Sequence, residues 1–208
     1  MATTPAQVKP NRRGARSRER VLDAAERLMA EHGYEAASVT RLVDEAGIPP
    51  SSVYHYFGSK DGVLLAVMER GAERFFADIP EPAERSGRPA EHLRRFCEVA
   101  AAGLNEHPNF LRLLLVMATQ PTTAADGEVH AVVQRIREEA LRRLRDQMAV
   151  AFDLEPGADA ADRLARFTLA VFDGAFIAQQ ADDAVRLDRV IESLPPALVA
   201  VRRSLASR

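Results

Sequence analysis

The stretch Gly47-Ile48-Pro49-Pro50-Ser51-Ser52-Val53-Tyr54-His55-Tyr56-Phe57-Gly58-Ser59-Lys60 decides the reading of this chain. It places a short helix after a Gly-Ile-Pro-Pro turn. Pro50 suits the first helical position, where the missing N–H would have no intrahelical partner anyway. Val53 and Phe57 are four apart and share one face, the face expected to be buried. Ser51, Ser52, Tyr54, His55 and Tyr56 are left around the other side. A short helix that shows hydroxyls and hydrogen-bonding aromatics to solvent is costly to keep without a partner, and a groove edged by phosphates is such a partner.

Working outward, residues 16–32 form an amphipathic helix with Val21, Leu22, Ala25, Leu28 and Met29 on one face, and Gly33 is its stop. Ser38 caps a second helix, to about Ala46, with Val39, Leu42, Val43 and Ala46 inward; a serine cap stabilises such a helix by roughly 1 kcal/mol. Gly47 ends it. Helix, glycine-bearing turn and short helix is the layout of a helix-turn-helix, whose second helix enters the major groove.

The run Arg20-Val21-Leu22-Asp23-Ala24-Ala25-Glu26-Arg27-Leu28, then Gly33-Tyr34, Ser38-Val39-Thr40, Ala46-Gly47, Tyr54-His55-Tyr56-Phe57, Ser59-Lys60 and Leu64 comes in one order and spacing. On these anchors, residues 16–66 resemble the DNA-binding domain of the TetR (tetracycline-repressor) family of bacterial regulators. The resemblance implies that Ser38 and Thr40 lie near backbone phosphates or a base edge, and that Ser51 and Ser52 open the recognition helix. It implies that Tyr54 and His55 reach a phosphate or a thymine methyl, and Tyr56 the phosphate backbone. Lys60 would hold a phosphate together with the positive end of the following helix. Pro49 is a departure, because the family usually has a serine or threonine cap there. Two consecutive prolines remove two backbone donors, so the first residue of the recognition helix stays open. Aromatics at helical spacing are more often core than contact surface. That reading is adopted for Phe57, with Val53 beside it, while Tyr54 and Tyr56 flank the buried face.

The net charge of −2 argues against nucleic acid until its distribution is considered. Residues 1–18 carry Lys9, Arg12, Arg13, Arg16 and Arg18 and no acid; residues 1–60 hold nine basic and seven acidic side chains, and the remainder 19 and 23. A basic arm (1–15) and DNA-binding domain (16–65) on a mildly acidic body (66–208) is the layout of a regulator that meets DNA at one end. Cys97 is the single cysteine, so no internal disulfide forms, and the cytoplasm is the expected compartment. No apolar run has the length of a membrane span. The histidines have no ligand-like pairing, so neither a metal nor another cofactor is expected.

Beyond Ser59 the periodicity gives only helices: 60–78, 90–106, 109–119, 128–152, 159–181 and 187–205, the last interrupted or kinked at Pro195-Pro196. The fold expected is all-α, with a three-helix DNA-binding domain and a C-terminal helical body. The 109–119 helix is apolar nearly all round and is expected to be central and buried. The 159–181 helix carries Ala165, Phe167, Leu169, Val171, Phe172, Ala175, Phe176, Ile177 and Ala178 around more than one face. One face serves its own subunit; the other, as the family resemblance implies, serves the last two helices of a second copy.

The function expected is a ligand-responsive transcriptional regulator, a repressor released from a palindromic operator by a small, mostly apolar effector. Its partners are double-stranded DNA, a second copy and the effector, and no membrane. Candidate effector contacts are Phe96, Phe110, Leu114, Met117, Asp173, Phe176 and Gln180; the last three share a helix face, and a buried Asp173 calls for a donor or a cationic ligand group. The alternatives are an all-helical enzyme or a dimerisation protein without DNA binding. Against the enzyme, the chain has no Gly-x-Ser-x-Gly, no P-loop and no paired histidine–glutamate metal motif, and no catalytic residue is assigned.

Overall fold

In this computed structural model the described residues are 12–79, 81–82, 87–120 and 127–206, with the side chains of Arg12 and Arg13 excepted. Residues 1–11 of the basic arm and residues 80, 83–86, 121–126 and 207–208 lie outside them. Among the described residues every regular element is a helix: α1 (Arg12–His32), α2 (Val39–Ala46), α3 (Pro50–Phe57), α4 (Lys60–Asp78), α5 (Pro89–Glu106), α6 (Pro108–Thr119), α7 (Gly127–Phe152), α8 (Asp159–Ala181), α9 (Leu187–Glu192) and α10 (Leu194–Ala206). Two compact units divide the chain, Met1–Met68 and Glu69–Arg208, so the boundary falls inside α4, a little beyond the expected one.

In the first unit, α1 starts at Arg12, four residues before the expected Arg16. Arginine and alanine favour the helix, and only Gly14 opposes its extension through this stretch. Val21, Leu22, Ala25 and Met29 of α1 pack with Leu42, Ala46, Ile48, Val53, Val63, Leu64 and Val67 in one buried core. Burying each of the large side chains stabilises the unit by about 1.5–3 kcal/mol. The Ser38 hydroxyl accepts the Arg41 backbone N–H at 3.3 Å and caps α2. Gly47 then turns left-handed, at φ +59°, which admits glycine without strain. The next helix begins at Pro50, with Pro49 as an N-cap that offers no side-chain acceptor. Leu42 and Ala46 are buried as expected, but Val39 and Val43 are only half-buried. Phe57 is also half-buried; the Arg18 guanidinium covers its ring at 5.3 Å.

In the second unit, α7 and α8 pack along each other, α5 lies against α9 and α10, and α6 packs on α5 and α7. α6 is less enclosed than its composition suggested: Phe110, Leu111, Leu113 and Leu114 are buried, while Val116 is 41 % exposed. Phe110 is wedged against Gly71, where a Cβ would lie 2.3 Å from its ring. The expected final helix is two helices, broken at Ser193, with Pro195 and Pro196 in the first turn of α10. Proline ends one helix but is accepted at the start of the next, where N–H groups have no intrahelical partner.

Candidate nucleic-acid interface and effector cavity

The recognition helix α3 turns Val53 fully into the core and leaves Tyr54 55 % exposed. Ser51 and His55 are also exposed, and Ser52 and Tyr56 are half-buried at the margins. The His55 and Tyr56 rings meet edge to face at 5.2 Å, which holds two of these side chains together. Ser38 and Thr40 are exposed at the start of α2, with the Ser38 hydroxyl already engaged as the cap. The structure thus brings Ser51, Ser52, Tyr54, His55 and Tyr56 onto the outward part of one helix, while Ser38 caps α2 and Thr40 lies in its first turn.

Lys60, expected at a phosphate, has partners within its own chain. Its ammonium donates to the Glu35 carbonyl at 3.2 Å, lies 4.0 Å from the centre of the Tyr34 ring and 3.7 Å from the Glu35 carboxylate, and its side chain is 23 % exposed. The Tyr34 hydroxyl reaches on to Asp61. One aromatic side chain from the turn after α1 therefore grips the first two residues of α4, directly after the recognition helix. Tyr34 was quoted in the sequence only as a family anchor; nothing local announces that its ring would meet a cation 26 positions away. The expected result is that Lys60→Ala weakens operator binding while leaving the slope of log K against log salt unchanged, and that Tyr34→Leu shares the defect non-additively. A slope lowered by about one unit would instead restore Lys60 as a direct phosphate contact.

In the second unit a narrow apolar cavity of about 60 Å³ lies among α4, α5, α6, α7 and α8. Phe75, Phe76 and Ile79 close it from the end of α4 and just beyond, opposite Phe96, Leu114 and Phe172. Of the residues expected to contact an effector, Phe96, Leu114 and Asp173 line it. Phe110 does not, because it fills the space against Gly71 and packs on Phe75 at 5.9 Å. Phe176 is buried away from the cavity, Met117 is half-buried elsewhere, and Gln180 is exposed and accepts a hydrogen bond from Arg112. The face of α8 that meets the cavity is Leu169, Phe172 and Asp173, so the next turn has passed its end.

Asp173 already has a donor. Arg137 of α7 binds it through two parallel hydrogen bonds, Nη1 to Oδ1 at 2.9 Å and Nη2 to Oδ2 at 2.7 Å. Arg143, a second cation on the lining, caps the end of α4: it donates to the Phe76 and Ile79 carbonyls at 2.9 and 3.0 Å and stacks over the Phe76 ring at 4.8 Å. Glu139 and Glu81 hold Arg143 at 2.7 and 3.2 Å. On the other side of the α4 terminus, His107 meets Asp78 at 2.6 Å. None of the cap residues Arg143, Glu139 and His107 was singled out from sequence.

The hydrogen bond from Arg142, with a further one from Arg143, pulls the Glu139 carboxyl down to about 2 from its ordinary 4.5. A depressed carboxylate stabilises the fold above its unfolded value, and that contribution is lost as pH falls through the folded one. Glu139→Gln should therefore lower Tm at neutral pH, with the gap to the wild type closing between pH 4.5 and about 2 in thermal melts. The Cys97 thiol is pushed up to about 12 by burial, with Glu98 adding to the rise, so it stays protonated and unreactive at neutral pH.

Residues 21–67 match the family model described as "Bacterial regulatory proteins, tetR family". The chain is 25 % identical over 167 residues to the HTH-type transcriptional regulator BetI of Rhizobium meliloti (strain 1021), covering 80 % of this chain and 79 % of that protein. It is 38 % identical to the HTH-type transcriptional repressor AcnR of Corynebacterium efficiens, but over 65 residues only, 31 % of this chain and 35 % of that one. Among solved structures it is similar in fold to SmeT, the repressor of the Stenotrophomonas maltophilia multidrug efflux pump SmeDEF, with a TM-score of 0.67, 24 % identity, and coverage of 88 % of this chain and 89 % of that one. Among the described residues no helix is long and apolar enough to cross a membrane.

Proposed function

We propose that this chain, a TetR-family DNA-binding transcriptional regulator, is a ligand-responsive repressor that a small, mostly apolar effector releases from a palindromic operator. One observation carries the ligand response. Helix α4 begins at Lys60, immediately after the recognition helix, and the residues at its other end, Phe75, Phe76 and Ile79, wall the cavity. At about 60 Å³ the cavity is small beside the roughly 300 Å³ of an ordinary ligand site, so an occupant of that size would displace its walls or extend from its mouth. The end of α4 is a wall held by a few polar contacts, the Arg143 cap and the His107–Asp78 pair, and these are the contacts that an entering ligand would strain. A ligand acts as a switch only if it prefers one of two conformations, and displacing the end of α4 supplies that preference.

The direct contacts proposed are Ser51, Ser52, Tyr54, His55 and Tyr56 on the recognition helix, with Ser38 and Thr40 at the start of α2 and Lys60 positioning the corner behind them. The second copy is proposed on α8. Phe167, Ala170, Gly174 and Ile177 recur at helical spacing along its exposed side, with Phe167 38 % and Ile177 54 % exposed. Gly174 has open space where a side chain would stand. A self-complementary apolar stripe fits two-fold pairing, which a palindromic operator requires. The test is a mobility-shift screen of genomic fragments, followed by a thermal-shift screen of apolar compounds and operator titration with each hit. No retarded fragment would sink the DNA-binding claim. Hits that leave operator affinity untouched would sink the switch.

A further inference from the structure

The cavity's polar side chains define what head group its occupant carries. Three reach it: Arg137, Arg143 and Asp173. Both cations are already matched, Arg143 by Glu139 and Glu81 and Arg137 by the bidentate bond to Asp173. An anionic ligand would have to take Arg137 from Asp173. Both side chains are 26 % exposed, but the Asp173 carboxylate is one methylene from the α8 backbone, so it could not swing further into water and would keep its charge half-buried with no cation beside it. A cationic ligand makes the opposite exchange. It replaces Arg137 at Asp173, and the released guanidinium, on a three-methylene stem and itself 26 % exposed, swings out to solvent. Charge is conserved at the carboxylate, and no ion is left buried alone.

The rest of the lining favours the same sign. Phe75, Phe76, Phe96 and Phe172 contribute four aromatic rings, whose faces attract cations. Phe76 already holds one, the Arg143 guanidinium. On these grounds we infer that the effector is an apolar cation, an alkyl or aryl ammonium, seated by exchanging for Arg137 at Asp173. This rests on the effector reading above and narrows it to a chemical class.

Octyltrimethylammonium, sodium octanoate and neutral octanol, titrated calorimetrically into the full chain, test it. The cation should bind roughly tenfold or more tightly than the anion, and Asp173→Asn should remove that advantage while leaving octanol unchanged. Arg137→Gln should strengthen the cation's binding, because its competitor is gone; Arg137→Lys, a weaker competitor without the bidentate fork, should do so less and serves if the glutamine variant does not fold. Octanoate binding as tightly as the cation, or Arg137 variants that lose the cation, would overturn the class, as would a cavity that takes none of the three compounds. Operator titration keeps the two claims apart. An anion that releases the operator through Arg137 leaves the regulator reading standing and defeats the cationic one. A cation bound through Asp173 without operator release does the reverse.

Discussion

On the α8 pairing proposed above, Ile177→Arg is expected to sediment as a monomer and to bind a palindromic operator roughly two orders of magnitude or more weakly than the wild type, because each half-site is then bound alone. Ile177 is the most exposed large apolar side chain on α8 and stands on the Phe167–Ala170–Gly174 stripe. A guanidinium in the middle of a helix–helix contact has no inexpensive partner there. In the monomer the same side chain is solvated, so helical circular dichroism and the melting transition should hardly change. Sedimentation and a mobility shift on one palindromic fragment decide the matter. A variant that still sediments as a dimer places the interface on another face. Ala175, one residue from Gly174 and also small, is the instructive contrast. It is 2 % exposed within its own chain, so Ala175→Arg would disrupt folding of the second unit and say nothing about pairing.

The effector is the second large effect. Once bound, it should lower operator affinity by about 5- to 150-fold, the range that a coupling of about 1–3 kcal/mol supplies. By reciprocity, saturating operator DNA should weaken effector binding by the same factor. Arg143→Ala gives an independent reading of the path. It removes the cap on the Phe76 and Ile79 carbonyls and one cation from the Phe76 ring, so the end of α4 should be easier to displace and the coupling smaller. Operator affinity measured with and without a ligand, for wild type and variant, yields the coupling directly. Equal couplings in the two proteins would show that the α4 terminus is not the element that moves.

The helices of the first unit were legible because their signals are local. Gly33, Ser38 and Gly47 mark starts and stops within a residue or two of the groups they satisfy, and the four-residue repeat of Val53 and Phe57 turns one face of α3 toward the core. The same holds for α8, whose ends agree with the sequence expectation, and for the break in the last helix, which the Pro195-Pro196 pair placed to within two residues of Ser193. Side-chain partners are another matter, because they depend on which helices become neighbours. Lys60 in sequence is a basic residue at a helix start; only the fold brings Tyr34 and Glu35 beneath it. Asp173 in sequence is a carboxylate in search of a donor, and only the α7–α8 packing supplies Arg137.

Periodicity says that α8 is apolar on more than one side but not which side is already covered, since alanine and glycine look alike in either place. The tertiary structure decided that Ala175 faces inward and Gly174 outward, that Phe110 fills the core instead of the cavity, and that Phe76 and Ile79 wall it. The physical reason is one of range. Caps, turns and helical periodicity are settled by groups a few residues apart, so the chain alone determined an all-helical protein with a helix-turn-helix. A cavity and its ion pairs are made by side chains tens of residues apart, and only the packing of the helices brings them together.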